Sequence, residues 1–331
     1  MKCSKPILLA GTLILAGTTL SHAEGVAFDG AITLGYSFNS IDGIPGTSLD
    51  LNGPSIDIDG DLKFSDWFEV GLGFGYSSGD LSVSGLPIDL NVDLISFAIE
   101  PVYKFDGGFY VGGYYRNGDL DLGIAGPITV GLDTYSYGLF GGYDFGPGDV
   151  EVFLGRSEGA TSGIPIGLDV DVKDLGISAS YEIRPNLEVF GSYLYTDIDA
   201  AGTGFPITAI SLGLDYAHSD RLSFYGALGR SDIALTDIGA PSDVDATGLT
   251  LGVSYDLSTN AGVPIILSLE LSRTKIDGGA LLGGIEPEVD RIALGVTIPF
   301  GGKSNAKPLN SNTRTARGDY RSAIAAIANA F

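Results

Sequence analysis

Phe68-Glu69-Val70-Gly71-Leu72-Gly73-Phe74-Gly75-Tyr76-Ser77 alternates without a slip. As a strand, it puts Phe68, Val70, Leu72, Phe74 and Tyr76 on one face. Glu69, Gly71, Gly73, Gly75 and Ser77 take the other. The same beat recurs where Leu175, Ile177, Ala179, Tyr181 and Ile183 oppose Asp174, Gly176, Ser178, Ser180 and Glu182. It closes at Ile292, Leu294, Val296, Ile298 and Phe300, opposed by Arg291, Ala293, Gly295 and Thr297. The breaks between such stretches are alternately tight and loose. The tight ones, such as Ser65-Asp66-Trp67, Arg184-Pro185-Asn186 and Ser219-Asp220-Arg221, lie about 40 residues apart. Looser Gly/Pro/Asp-rich spacers, such as Ser162 to Gly167, separate them. This is the pattern of a transmembrane, antiparallel, up-and-down β-barrel, an all-β fold. Fourteen strands fit between about residues 27 and 300, the first two at 27–38 and 55–64, with twelve or sixteen as alternatives.

A repeat of this length also suits propeller blades, but each period here holds two long strands, not four short ones. A soluble sandwich alternates too, so the aromatic residues decide. Phe64, Phe68, Tyr103, Phe105, Tyr143, Phe145, Tyr181, Tyr216, Tyr255 and Phe300 share the apolar phase beside the tight turns. Tyr36, Phe38, Tyr76, Tyr115, Tyr135, Tyr193 and Tyr195 sit at the opposite strand ends, with aliphatics between. Two girdles around an aliphatic band meet two membrane interfaces. Pro101 falls inside a strand, where a bulge or shifted phase is expected.

The first residues read as an address. Lys2 and Lys5 precede an apolar run from Ile7 to Leu20, and Ser21-His22-Ala23 offers a cleavage site before Glu24. The expected division is a signal peptide at 1–23, a barrel at 24–300 and a basic periplasmic tail at 301–331. Cys3 leaves with the signal, so disulfides and thiol chemistry are excluded from the mature chain. Residues 24–300 carry a net charge of −29, and 301–331, with Lys303, Lys307, Arg314, Arg317 and Arg321 against Asp319, carry +4. Acidity on this scale argues against nucleic-acid partners and suits a surface or pore that attracts cations.

Chemistry has few candidates. Beyond the signal, His218 is the only histidine. It lies in a turn beside Ser219 and Asp220, where neighbours do not converge into a catalytic triad. It reads as a solvated turn residue, and no enzyme is expected. Asp57, Asp59 and Asp61 would need Gly at position 62 and Glu at 68 to form an EF-hand loop; Leu62 and Phe68 stand there. At strand spacing they share one water-facing side instead. The pairs Asp119/Asp121 and Asp169/Asp171 could hold calcium weakly at the loops, but nothing in their spacing requires it, and no cofactor or metal is expected. The pore-lining set read from phase is Asp57, Asp59, Asp61, Lys63, Glu69, Glu100, Lys104, Asp144, Glu151, Glu182, Glu188, Asp215, Asp256, Glu270 and Arg291. Gly71, Gly73, Gly75, Gly142, Gly155, Gly176, Gly213 and Gly252 lie among these, implying a roomy lumen.

Two readings fit the tail. A polar linker followed by a short amphipathic helix over Asp319 to Phe331 gives a mobile periplasmic extension, which is the preferred one. The other inserts the tail as a plug, with Arg314, Arg317 and Arg321 pairing to wall carboxylates.

With the hairpin beat, the girdles and a last strand ending Val296-Thr297-Ile298-Pro299-Phe300, the chain resembles the Gram-negative outer-membrane barrels of porin type over about 24–300. The resemblance implies outer-membrane lipid around the barrel, and the barrel-assembly machinery as a partner that reads the terminal aromatic Phe300. It implies small solutes and cations as cargo. The extension beyond Phe300 departs from that pattern. Trimeric general porins have sixteen strands and a long third loop folded into the pore, whereas the third spacer here, Gly118 to Gly131, is no longer than its siblings. The oligomeric state stays open. The expected function is a passive, weakly cation-preferring diffusion channel, with a non-conducting structural or surface-binding barrel as the alternative.

Overall fold

Each strand pairs with its sequence neighbours, and the first with the last, so the sheet has no edge. In the computed structural model, which describes residues 26–83, 89–124, 128–162, 170–200, 203–236, 239–258, 264–301 and 307–322, the strands are β1 (Ala27–Ile44), β2 (Thr47–Ser65), β3 (Phe68–Val83), β4 (Asp89–Lys104), β5 (Phe109–Ile124), β6 (Ile128–Asp144) and β7 (Gly148–Ser162). They continue as β8 (Val170–Arg184), β9 (Leu187–Ala200), β10 (Thr203–Ala217), β11 (Leu222–Ile233), β12 (Val244–Asp256), β13 (Ile266–Asp277) and β14 (Glu288–Phe300). Ile32 opposite Ile298 and Tyr36 opposite Leu294 stitch β1 to β14 and close the antiparallel barrel. The signal-peptide reading and its Ala23/Glu24 boundary lie outside the described residues.

The strands run further than the sequence reading placed them. β1 and β2 meet at a turn of only Pro45 and Gly46, whose glycine has φ 76°. The spacers are absorbed because they alternate as well: Asp50-Leu51-Asn52, Asp80-Leu81-Ser82-Val83 and Asp119-Leu120-Asp121-Leu122 keep a period of two, so the ladder continues through them. The barrel therefore rises beyond the far aromatic girdle as a rim of paired strands.

Pro101 brings no bulge. The β4–β5 ladder skips Glu100 and Pro101 and resumes at Val102–Gly112 in the register it left at Ile99–Tyr115. A missing amide costs one rung without shifting the phase.

The outward face is apolar between the girdles: Leu139, Leu154, Leu212, Leu228 and Leu251 are all exposed. Aromatic rings touch along the tight-turn end, Tyr103 with Phe105 at 4.8 Å and Phe109 with Tyr143 at 4.5 Å. At that end Phe300 stacks on Phe28 at 4.9 Å, tying the last strand to the first. The inward face is polar and partly filled: Thr33 and Thr297, both fully buried, share a 2.8 Å hydrogen bond across the closure.

Candidate functional site

Residues 307–322 thread the lumen, which corrects the mobile-tail reading. Lys307 enters beside the tight turns and pairs with Glu188 of β9 at 2.8 Å and with Asp215 of β10. The Leu309 amide donates to Thr33 Oγ1 at 3.0 Å, and Arg291 Nη2 donates to the Asn310 carbonyl at 2.9 Å. A single helical turn follows, α1 (Thr313–Arg317), ended by Gly318 at φ 82° against Ser178 of β8. This turn precedes the stretch expected to be helical, of which 323–331 lies outside the described residues. Of the expected helical stretch, Asp319 to Ser322 is described and is not helical.

The arginines reach walls on different sides of the barrel. Arg314 pairs with Asp59 of β2 at 3.2 Å, and Arg317 with Glu188 at 3.0 Å and with Asp215. Arg321 bridges Glu100 of β4 and Glu151 of β7, each at 2.7 Å. Its backbone carbonyl accepts from the Tyr114 hydroxyl at 3.1 Å. Below the tail, Glu270 and Arg291 form a pair that is 3% and 6% exposed, and Glu270 also accepts from Ser311 and from the Asn312 amide. Removing one member of such a pair leaves a buried charge, at a cost of about 3–5 kcal/mol. Burial opposes the charge of Arg314, but Tyr320, Asp319 and Asp59 outweigh it and hold its proton more firmly than in water.

The lumen glycines divide into two groups. A Cβ on Gly142, Gly155, Gly176, Gly213 or Gly252 would collide with a ring, respectively Tyr110, Tyr114, Phe153, Phe190 and Tyr225. Inward aromatics lie over these glycines, a packing that stiffens a curved sheet. This corrects the expectation of empty space there. Arg317 lies over the Phe190 ring at 3.8 Å and Arg321 over Phe140 at 3.9 Å, so cation–π contacts add to the ion pairs. Gly71, Gly73 and Gly75 of β3 carry no such roof. They border a cavity of about 560 Å³ beside Asp57, Asp59 and Asp61, with Arg314, Arg317 and Tyr320 across the gap.

The remaining pore-lining candidates are spread along the wall. Lys63 pairs with Asp29 and Lys104 with Glu69, each at 2.7 Å, at the tight-turn mouth. Asp144 and Asp256 accept from the amides of Gly146 and Ser258 and so shape turns. Glu182 is exposed near the β8–β9 turn. His218 is exposed in the β10–β11 turn, flanked by Tyr216 and Phe224. Sequence reasoning missed Arg116, which donates to Glu100 at 2.8 Å and to the Asp319 carbonyl at 2.7 Å. Its neighbour Tyr115 had been assigned to the lipid face, so the same alternation points Arg116 inward. The ring-bearing lumen residues Tyr114, Phe140, Phe153 and Phe190 were missed because girdle logic looks only outward.

The fold is a closed antiparallel barrel of fourteen strands with a tail in its lumen, the architecture of the porin-type β-barrels. Residues 57–201 match the Gram-negative porin family. No curated protein sequence matches the chain. Among solved structures, an anion-selective porin from Comamonas acidovorans is 15% identical, over 83% of this chain and 99% of that one, with a TM-score of 0.50. In-vitro folded OmpT, an outer-membrane protein of Vibrio cholerae, is 13% identical over 85% and 99%, at 0.51. A Pseudomonas aeruginosa FadL homologue is 11% identical over 85% and 92%, also at 0.51. Identities this low speak to the fold alone. The match to the Gram-negative porin family over 57–201 points to the outer membrane.

Proposed function

We propose that the protein is an outer-membrane diffusion channel for ions and small polar solutes, weakly cation-preferring, whose lumen is narrowed by its own tail. The cavity of about 560 Å³ carries this reading. It survives where β3 offers glycine and β2 offers Asp57, Asp59 and Asp61, an acid-lined space beside the tail suited to water and cations. The acid excess of residues 24–300 supports the cation preference. The porin-family match favours transport over catalysis, and His218, exposed at a turn, stands apart from the cavity. The ion pairs that pin the tail across the lumen favour a second reading, a barrel that does not conduct.

Planar-bilayer recording of the full chain and of a form ending at Phe300 tests both. The full chain is expected to give small, cation-selective openings. Truncation should raise conductance severalfold and strengthen cation selectivity, because Glu188, Asp215, Glu100, Glu151 and Asp59 lose their tail partners. Silence from both forms would overturn the channel; silence from the full chain alone would make the tail a complete seal.

A further inference from the structure

Beyond the cavity, the inner wall changes character. On β6 the inward series Phe140, Ser136, Thr134 arrives at Leu132, and on β9 Ser192 and Thr196 arrive at Ile198. Cross-strand partners share a face, and aliphatics pair around this end: Leu120 with Leu132, Val172 with Ile198, Ile207 with Ile233. Every strand except β7 brings a Leu, Ile or Val to this inward collar. At the same end the outward face carries ion pairs, Arg156 with Asp171, Arg230 with Asp245 and Arg273 with Asp290. An aliphatic collar interrupted only at β7 and turned away from lipid, inside strands that are polar outside, calls for an apolar occupant.

The tail's own order of residues matches the wall's. Its basic part, Lys307 to Arg321, lies on the acidic wall. At Ser322 it reaches the upper edge of that zone: the Ser322 hydroxyl meets Ser136 at 3.3 Å and Ser157 at 3.0 Å, and Ser157 donates to the buried Asp174 carboxylate at 3.2 Å and pairs across the ladder with Val172 of the collar. Ser157, Val172, Thr196 and Ser322 are each 0% exposed, so the chain is tightly enclosed where it reaches the collar's lower edge. The nine residues that follow, Ala323-Ile324-Ala325-Ala326-Ile327-Ala328-Asn329-Ala330-Phe331, carry no charge and end in an aromatic. We infer that the collar is the docking site for residues 323–331, taking Ile324, Ile327 and Phe331 as its apolar occupants. The tail then holds the lumen at two levels, by charge below and by apolar contact above. The docking does not rest on the channel reading.

A cysteine at the collar tests this, since Cys3 is the chain's only cysteine. In the folded, reconstituted protein carrying Leu132→Cys, a water-soluble maleimide should react at least about tenfold more slowly in the full-length chain than in a form ending at Ser322, as for a group reached only by local opening. Ile324→Asp with Ile327→Asp in the full-length chain should give the fast rate without shortening it. Equal rates in all three forms would overturn the docking. So would a rate slowed equally in all three by added toluene, which would give the collar to a free apolar solute. Bilayer recording of the same proteins separates the two claims. Loss of protection with no conductance in any form would defeat the channel and leave the docking standing. Conductance with equal labelling would do the reverse.

Discussion

Along β10, Leu212 and Thr208 point the same way and meet different surroundings. Leu212 is 65% exposed between the girdles, while Thr208 lies in the rim opposite Asp232. Behind them the inward side reverses as well, from Asp215 near the tight turn to Ile207 in the collar. The belt is apolar outside and polar inside; the rim is polar outside and apolar inside. One unbroken alternation serves both, because a strand's period fixes only which residues share a face. What each face touches, lipid or water, decides which set is apolar. Two solvents along one strand therefore demand two opposite assignments of the same pattern.

The comparison breaks most sharply under a charge. Leu212→Arg should cost about 2–4 kcal/mol, the penalty for a cation on the lipid face near the bilayer midplane. Thr208→Arg, four residues along the same strand and facing Asp232, should leave stability unchanged within error. Reversible urea folding into lipid vesicles measures both. Equal losses would mean that the belt extends over the rim.

A smaller effect separates ion pairs inside from ion pairs outside. Arg321 is 11% exposed and holds two carboxylates, from strands β4 and β7 of one wall. Arg321→Ala should weaken tail docking by about 3–5 kcal/mol, since Glu100 and Glu151 lose a buried partner. Faster protease cleavage within 307–322 and raised conductance would report it. Arg230 on the rim exterior is 57% exposed and binds Asp232 and Asp245. Screened by water, Arg230→Ala should change neither readout. Matching responses from the two variants would contradict a tail seated in the lumen.

The belt was legible in the sequence because it obeys a rule with two markers, alternation and girdles. Phe68 to Ser77 carries both, so its phase and its place follow from the residues alone. The rim carries only one. Asp119-Leu120-Asp121-Leu122 alternates but has no aromatic to tie it to an interface, and its aspartates made it resemble a loop. Its leucines are inward because water, not lipid, surrounds that end. The lumen was legible in its charges and not in its filling. Glu100 and Glu151 follow from phase, yet nothing local ties them to Arg321, more than 160 residues away in sequence. Likewise Gly213 looks like empty space until Phe190, on the neighbouring strand, is laid over it. Contacts of that range are products of closure and cannot be read from a strand taken singly.

The smallest effect tests whether the tail sits in a protein-lined space at all. Tyr320 borders the cavity, with Arg116 and Arg314 about its ring at 5.2 and 5.4 Å. Water withdrawn from its hydroxyl pushes its pKa up to about 12, against the pull of Arg314 in the other direction. A tyrosine in water ionises near about 10. Between those values an undocked tail loses the proton that a docked tail keeps. Docking is therefore at full strength below about pH 10 and weakens as the pH rises towards 12, since the docked state binds the extra proton. Absorbance at 295 nm of the folded protein, with Tyr320→Phe subtracted, isolates this one group. A difference signal rising near pH 12 places Tyr320 in the lumen, and one rising near 10 returns the tail to solvent.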